Sequence, residues 1–460
     1  MERWQGAALD YLPRWVEHQM RLSGQPGVTI AAAFKGRPVL DIALGKADAV
    51  RGIDLTPRHR FRVASHSKTF TAAGIMVLRE RGRLSLDDAA GKFVSGLHPS
   101  VAKATISQLL SHTAGLIRDG EDSGQWGDRR PFADEKQLRR DLTVAPVIEA
   151  NTRFKYSNHG FGLLGLIIEA ITGERYNRWI AKTIVAPSGL EHTYPDMPVP
   201  RTAAMARGHT GRLPVAPRLV IPGMNPTKAL APATGFISTA GDLVGFFSSL
   251  DPAASRSLLS KASRREITRR QWRNPNSAIE RYYGLGTMSG TTAGFDWFGH
   301  AGGFQGFLTR TAHLPDIGLT LSILTNAADG PSWPWLDGAL HILRKFHQHG
   351  APAGRARNWT GRWWTLWGAA DLVPMGSKVI VADPSLGNPF MDCGEITLRG
   401  AGEGRITLAQ GYASYGEKAK RVPTAGRARE IWLGGNKLVP EARLAEEMKA
   451  RYASPSGRRR

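Results

Sequence analysis

The chain has 460 residues, a formal net charge of +22, 42% hydrophobic residues and one cysteine. That length exceeds what one small core organises and the apolar share is ordinary for a globular protein, so one large domain with a smaller companion is expected. The single Cys393 excludes an intrachain disulfide. The positive charge is mostly scattered arginine, with one dense block at Arg458-Arg459-Arg460 and no zinc-finger, aromatic RNA-binding or basic heptad pattern, so nucleic acid is not an expected partner.

Trp4, Ala7, Ala8, Tyr11, Trp15 and Val16 recur at helical spacing, which predicts an amphipathic helix at the start. The same stretch carries Glu2, Arg3, Asp10, Arg14 and Glu17 and lacks the apolar core of a signal peptide. The longest apolar helix, 161–171, is too short for a bilayer and contains Glu169. The expected location is the cytoplasm, with no membrane partner.

Residues 28–34 and 39–44 read as a hairpin of core strands around Lys35-Gly36-Arg37-Pro38. Helices are predicted at 69–81, 86–93 and 106–110. The Gly- and Asp-rich stretch 117–135 reads as a surface loop rimming a cleft. A strongly apolar helix follows at 158–172, closed by Gly173, and 195–232 reads as a long irregular excursion. Thr239 and Asp242 form a helix-start signature before the apolar run 243–250. From Tyr282 the period changes, and 283–288, 295–300, 307–313 and 319–325 read as antiparallel strands before a helix at 335–346. A linker is expected at 348–358, then a small β domain with strands at 378–382, 395–398, 405–408 and 430–433. The reading is therefore α+β: an antiparallel sheet flanked by helices, with an inserted helical region (1–347), followed by a small C-terminal β-barrel (359–460).

The chemistry starts at Ser65-His66-Ser67-Lys68. A serine and a lysine three residues apart share one helix face. A serine hydroxyl needs a base beside it, and a lysine whose pKa is lowered by burial can be that base. Tyr156-Ser157-Asn158 stands at the entry of the apolar helix. There Tyr156 can shuttle a proton, with Lys68 as the cation that lowers its pKa, and Asn158 can bond a substrate carbonyl or the lysine; equally, Asn158 can cap the helix while Tyr156 packs. His300-Ala301-Gly302-Gly303 ends a strand, and its small residues let another backbone come close. An acyl substrate could lie there as an added strand, with the N–H groups of Ser65 and Gly303 facing its oxyanion.

These three pieces, in this order, resemble the serine β-lactamase and penicillin-binding-protein superfamily, and within it the branch of class C β-lactamases, family VIII esterases and D-aminopeptidases. Residues 108–116 and 235–243 are similar to further signature stretches, and the likeness covers residues 10–346. The C-terminal segment is similar to the lipocalin-like barrel of some aminopeptidase-type members. The resemblance implies Ser65 as acylated nucleophile, Lys68 and Tyr156 as proton carriers, and Asn158, His300, Gly302 and Gly303 as substrate or oxyanion contacts. His66, Ser67 and His112 are read as structural. No metal or cofactor is implied. The implied substrate is a small ester, amide or short peptide; β-lactamase-like action and acyl transfer are the alternatives, and self-association is left open. One departure stands out: His300-Ala301-Gly302 replaces the Lys-Thr-Gly of β-lactamases, and a neutral histidine binds a carboxylate less well than a lysine.

Overall fold

The computed structural model describes every residue except 214–216, 410–413, 425–426 and 454–460, so the Arg458-Arg459-Arg460 block lies outside the described residues. The chain forms two compact units, one of residues 24–336 and one of residues 1–23 with 337–460. The division at 347 expected from sequence differs from this grouping: the opening helix and the residues from Asp337 onward cluster with the C-terminal strands.

The larger unit is built on a nine-stranded antiparallel sheet. Its strands are β1 (Gly27–Phe34), β2 (Arg37–Asp48), β3 (Ile53–Asp54), β4 (Trp272–Arg273), β5 (Arg281–Tyr283), β6 (Met288–Thr292), β7 (Phe295–Phe304), β8 (Phe307–Leu314) and β9 (Leu319–Thr325). Their order in the sheet is β3-β2-β1-β9-β8-β7-β6-β5-β4. Lys35 (φ 48°) and Gly36 (φ 76°) both take the left-handed turn conformation that suits a two-residue hairpin between right-twisted strands. β1 pairs with β9 from Val28↔Thr325 to Phe34↔Leu319, so the two ends of this unit close one sheet around an inserted helical region. β9 is buried along its whole length and β1 in all but its last residue, because both faces are covered.

The central helix, Ser67–Glu80, is buried at every position from Ser67 to Leu78. A helix buried all round must satisfy its polar side chains internally. Ser67 Oγ donates to Ala64 O (2.5 Å) and accepts from Phe236 N, Thr69 donates to Gly286 O (2.7 Å), and Thr71 donates to Pro232 O (2.7 Å).

Two expected elements differ. Residues 86–93 hold only a short 3₁₀ turn, Ala90–Lys92, because Asp88 accepts from Ser85 N (2.7 Å) and forms a local turn instead of a helix start. The expected strand 283–288 is split: β5 ends at Tyr283, and a turn through Gly286 (φ 73°) leads to β6. A Cβ at Gly286 would lie 2.9 Å from Lys68 O, so this turn seats directly on the central helix.

In the other unit, eight strands form a meander: β10 (Gly361–Thr365), β11 (Gly368–Met375), β12 (Lys378–Ala382), β13 (Gly394–Leu398), β14 (Glu403–Leu408), β15 (Lys418–Thr424), β16 (Arg427–Leu433) and β17 (Asn436–Leu438). Trp364 on β10 exchanges backbone hydrogen bonds with Val439 beside β17 (2.8 and 3.0 Å), so the barrel is nearly closed. Its core holds Trp359, Trp363, Leu372, Val379, Ile396, Ile406, Ala419, Ile431 and Leu438. The opening helix, Arg3–Ser23, belongs to this unit: Tyr11 donates to Asp371 (2.9 Å) and Trp15 Nε1 to Leu386 O (3.2 Å). Among the described residues no helix is long and apolar enough to cross a membrane.

Candidate active site

Ser65 lies in a 3₁₀ turn, Ala64–His66, that leads directly into the central helix. Ala64 has φ 45°, a left-handed conformation costly for a residue with a side chain. Held strain of this kind concentrates at functional positions. The turn is pressed against β7: a Cβ at Gly302 would lie 2.1 Å from Val63 O, so only glycine lets the two backbones approach.

Four of the sequence-predicted residues meet in one hydrogen-bonded set. Lys68 Nζ donates to Ser65 Oγ (3.1 Å), Asn158 Oδ1 (2.7 Å) and Ala233 O (2.8 Å). Tyr156 OH donates to Ser65 Oγ (2.8 Å). The two readings of 156–158 resolve cleanly. Ser157, not Asn158, caps the helix Asn158–Thr172, its Oγ accepting from Gly160 N (2.9 Å) and donating to Ile117 O (2.6 Å). Asn158 is thereby free to face the lysine.

The edge of β7 supplies the rest. β6 pairs with β7 only up to Met288↔Gly299, which leaves 300–304 without a neighbour on that side. Phe304 and Phe307 close the two-residue turn to β8, and in an antiparallel ladder hydrogen-bonded and outward-facing positions alternate. Counting back from Phe304 turns the N–H groups of Gly303 and Ala301 outward. Ala301 N–H already has a partner, the Nδ1 of His300 (3.0 Å), whereas Gly303 is exposed on the open edge. The His300 side chain is placed differently from expectation. Its ring is 2% exposed, Nε2 bonds Tyr283 OH (2.9 Å) and Nδ1 lies against Ala301, so it buttresses the edge from beneath and has no bond to the Ser65 set.

Sequence reasoning missed Asp119, a loop residue with no periodic signal. It is 8% exposed; Oδ1 accepts from Asn158 Nδ2 (2.6 Å) and Oδ2 pairs with Arg118 (3.0 Å). The Ala233 carbonyl, the third acceptor of Lys68, carries no side-chain signature at all.

Burial decides the protonation states. Lys68 is 0% exposed, and desolvation drives its pKa well below the ordinary 10.5; Asp119 pulls it partly back and Arg118 adds to the fall. Tyr156 moves the other way. Its phenol is pushed above the usual range by burial, and the hydrogen bond to Ser65 and the nearby Arg118 only partly offset this. The expectation that Lys68 lowers the Tyr156 pKa is corrected: burial raises the tyrosine pKa and lowers that of the lysine, so the tyrosine keeps its proton and the lysine gives its own up more readily.

Three buried histidines surround the set, and all are held neutral. His66 is pushed down to about 4 by burial, with only partial relief from its bond to Val63 O (2.9 Å). His112 and His300 are lowered well below 6.5, also by burial first. Between the ordinary 6.5 and the lowered native value, the unfolded chain binds more protons than the native one, so stability falls as pH falls. His66 alone is expected to remove about 3 kcal/mol by pH 4, at about 1.4 kcal/mol per pH unit. Urea midpoints measured from pH 7 to pH 4 check this, and a flat profile contradicts it.

Among the described residues no group of three or more His, Cys, Asp or Glu is placed to hold a metal ion. The sequence model of the beta-lactamase family matches residues 12–337. Protein flp of Staphylococcus aureus (strain NCTC 8325 / PS 47) is 29% identical over 192 residues, 39% of this chain and 36% of that protein. The chain thus spans just over a third of the length of that curated relative. Among solved structures, the octameric penicillin-binding protein homologue from Pyrococcus abyssi is similar with a TM-score of 0.65 at 21% identity, covering 94% of this chain and 100% of that one. The D-stereospecific amidohydrolase from Streptomyces sp. is similar with a TM-score of 0.60 at 27% identity, covering 71% of this chain and 97% of that one.

Proposed function

The chain belongs to the beta-lactamase family of serine hydrolases, and from that premise we propose that it cleaves small amides or esters through an acyl-enzyme on Ser65, with D-aminoacyl amides as the leading substrate class. One observation carries the reading: Ser65 Oγ is hydrogen-bonded at once to Lys68 Nζ (3.1 Å) and Tyr156 OH (2.8 Å). Ser65 Oγ bonds to the substrate carbonyl carbon and its proton passes to neutral Lys68. The Gly303 N–H, with that of Ser65, faces the developing oxyanion. Tyr156 gives its proton to the leaving nitrogen or oxygen as that bond breaks, and Lys68 returns a proton to Tyr156. Water then attacks the ester, with the same pair moving its proton, and the acid leaves.

Two features favour an aminoacyl substrate over a β-lactam. The buried, neutral His300 and the hydroxyl-free Ala301 stand where a β-lactamase has its carboxylate-binding Lys-Thr. Asp119 places a carboxylate one hydrogen bond from Asn158, where it can hold a substrate ammonium. The amidohydrolase similar to this chain is named D-stereospecific, which supports the D-series.

A panel of D-alanine p-nitroanilide, p-nitrophenyl acetate and a chromogenic cephalosporin tests the ranking; dominant cephalosporin hydrolysis reverses it. Asp119→Asn is expected to raise KM for D-alanine p-nitroanilide tenfold or more and to leave that for p-nitrophenyl acetate within about threefold, since only the former carries an ammonium. Because Asp119 raises the Lys68 pKa, the rising limb of the kcat/KM–pH profile is expected to move to lower pH in this variant. Equal KM changes for both substrates and an unmoved limb would remove Asp119 from recognition.

A further inference from the structure

The hydrogen bonds around Ser65 continue into a chain that returns to Arg62, three residues before it, and one side chain joins its two halves. From the nucleophile these bonds run through Lys68 and Asn158 to Asp119. The Asp119 carbonyl accepts from Gln125 Nε2 (3.5 Å), and the Gln125 carbonyl accepts from Gln305 Nε2 (2.6 Å). On its other side Gln305 Oε1 accepts from Asn225 Nδ2 (3.3 Å), and the Asn225 carbonyl accepts from the Arg62 guanidinium (2.9 Å), three residues before Ser65. Gln305 is 7% exposed and lies in the turn between β7 and β8, two residues after Gly303.

We propose that Gln305 is a positioning residue that sets the width of the cleft and so the size of acyl group it admits. The inference rests on the acyl-enzyme reading above. The two bonds of Gln305 tie together three segments that share no secondary structure: the oxyanion-side turn, the rim loop 117–135 and the excursion 195–232. Loops held by no ladder take their spacing from such side-chain bonds. Other contacts also join these segments: Phe132 stacks on Phe304 (5.6 Å), Trp126 meets Phe304 edge-on (6.0 Å), the Arg62 guanidinium lies over the Phe304 ring (4.0 Å), and Ala229 N donates to Ala133 O (3.2 Å). Gln305 adds the two side-chain bonds that reach both loops from the turn, so loss of its amide is expected to loosen the walls while the packing keeps the core.

Two variants test this. Gln305→Met keeps length and volume and loses both bonds; Gln305→Glu keeps the acceptor for Asn225 and loses the donor to Gln125. The ratio of kcat/KM for p-nitrophenyl octanoate over p-nitrophenyl acetate is expected to rise tenfold or more in Gln305→Met, and in the same direction but less in Gln305→Glu. Amide hydrogen exchange across 117–135 is expected to quicken in both, while labelling of Ser65 by a fluorophosphonate persists. Folded, labelled variants with the wild-type ratio and wild-type exchange overturn the proposal. A wild-type protein that takes no label at Ser65 refutes the acyl-enzyme reading instead, and the exchange measurement then still decides whether Gln305 holds the loops.

Discussion

Ser65→Ala is expected to lower turnover by on the order of 10⁴- to 10⁶-fold and to abolish covalent labelling. The size of the effect follows from the role. Lys68 and Tyr156 both direct hydrogen bonds at one oxygen, and no second hydroxyl replaces it: Ser67 is committed to Ala64 O and Phe236 N. Intact-mass measurement with a fluorophosphonate or penicillin-like probe gives the result directly. Wild-type protein gains one adduct, Ser65→Ala gains none, and circular dichroism confirms that the variant is folded. An adduct of equal yield in the variant would place the nucleophile elsewhere.

Lys68→Met is expected to cost turnover on the order of 10²- to 10⁴-fold, the range for losing a positioned general base. It also has a signature in stability. The native lysine has a pKa far below its unfolded one, so between the two values the unfolded chain binds the extra proton and wild-type stability rises with pH. Methionine carries no proton, so the variant is expected to lose that slope. It also leaves Asn158 Oδ1 and Ala233 O without their donor, which offsets the relief of removing a buried amine. The variant is thus expected to be folded, close to wild type in stability near neutrality and flatter toward alkaline pH. Denaturant titrations from pH 6 to 10 check this; an unchanged slope would mean that Lys68 is not held neutral.

The parts of the site legible in the sequence are those where a periodic element fixes spacing. Ser65 and Lys68 lie one helical turn apart, and the apolar run that ends at Gly173 (φ 71°) reads correctly from Asn158 onward. Gly302 signals a close backbone approach, and the contact with Val63 is there. What sequence hides is held by loops and by burial. Asp119, Gln125 and Asn225 lie in segments without periodicity, so nothing in their spacing says that they meet. The direction of the Tyr156 shift depends on the weight of desolvation against nearby cations, which no spacing encodes. In the barrel, the expected strands 378–382, 395–398, 405–408 and 430–433 are present. Gly361–Thr365, Gly368–Met375, Lys418–Thr424 and Asn436–Leu438 were missed, because glycines, Pro374, Pro423 and charged residues interrupt their alternation.

In the eight-stranded barrel Trp359 and Trp363 pack with eight smaller apolar side chains to form the core. Eight strands enclose about as much volume as side chains alone can fill. With its described core packed by side chains, the barrel is expected to act through its outer face and its loops.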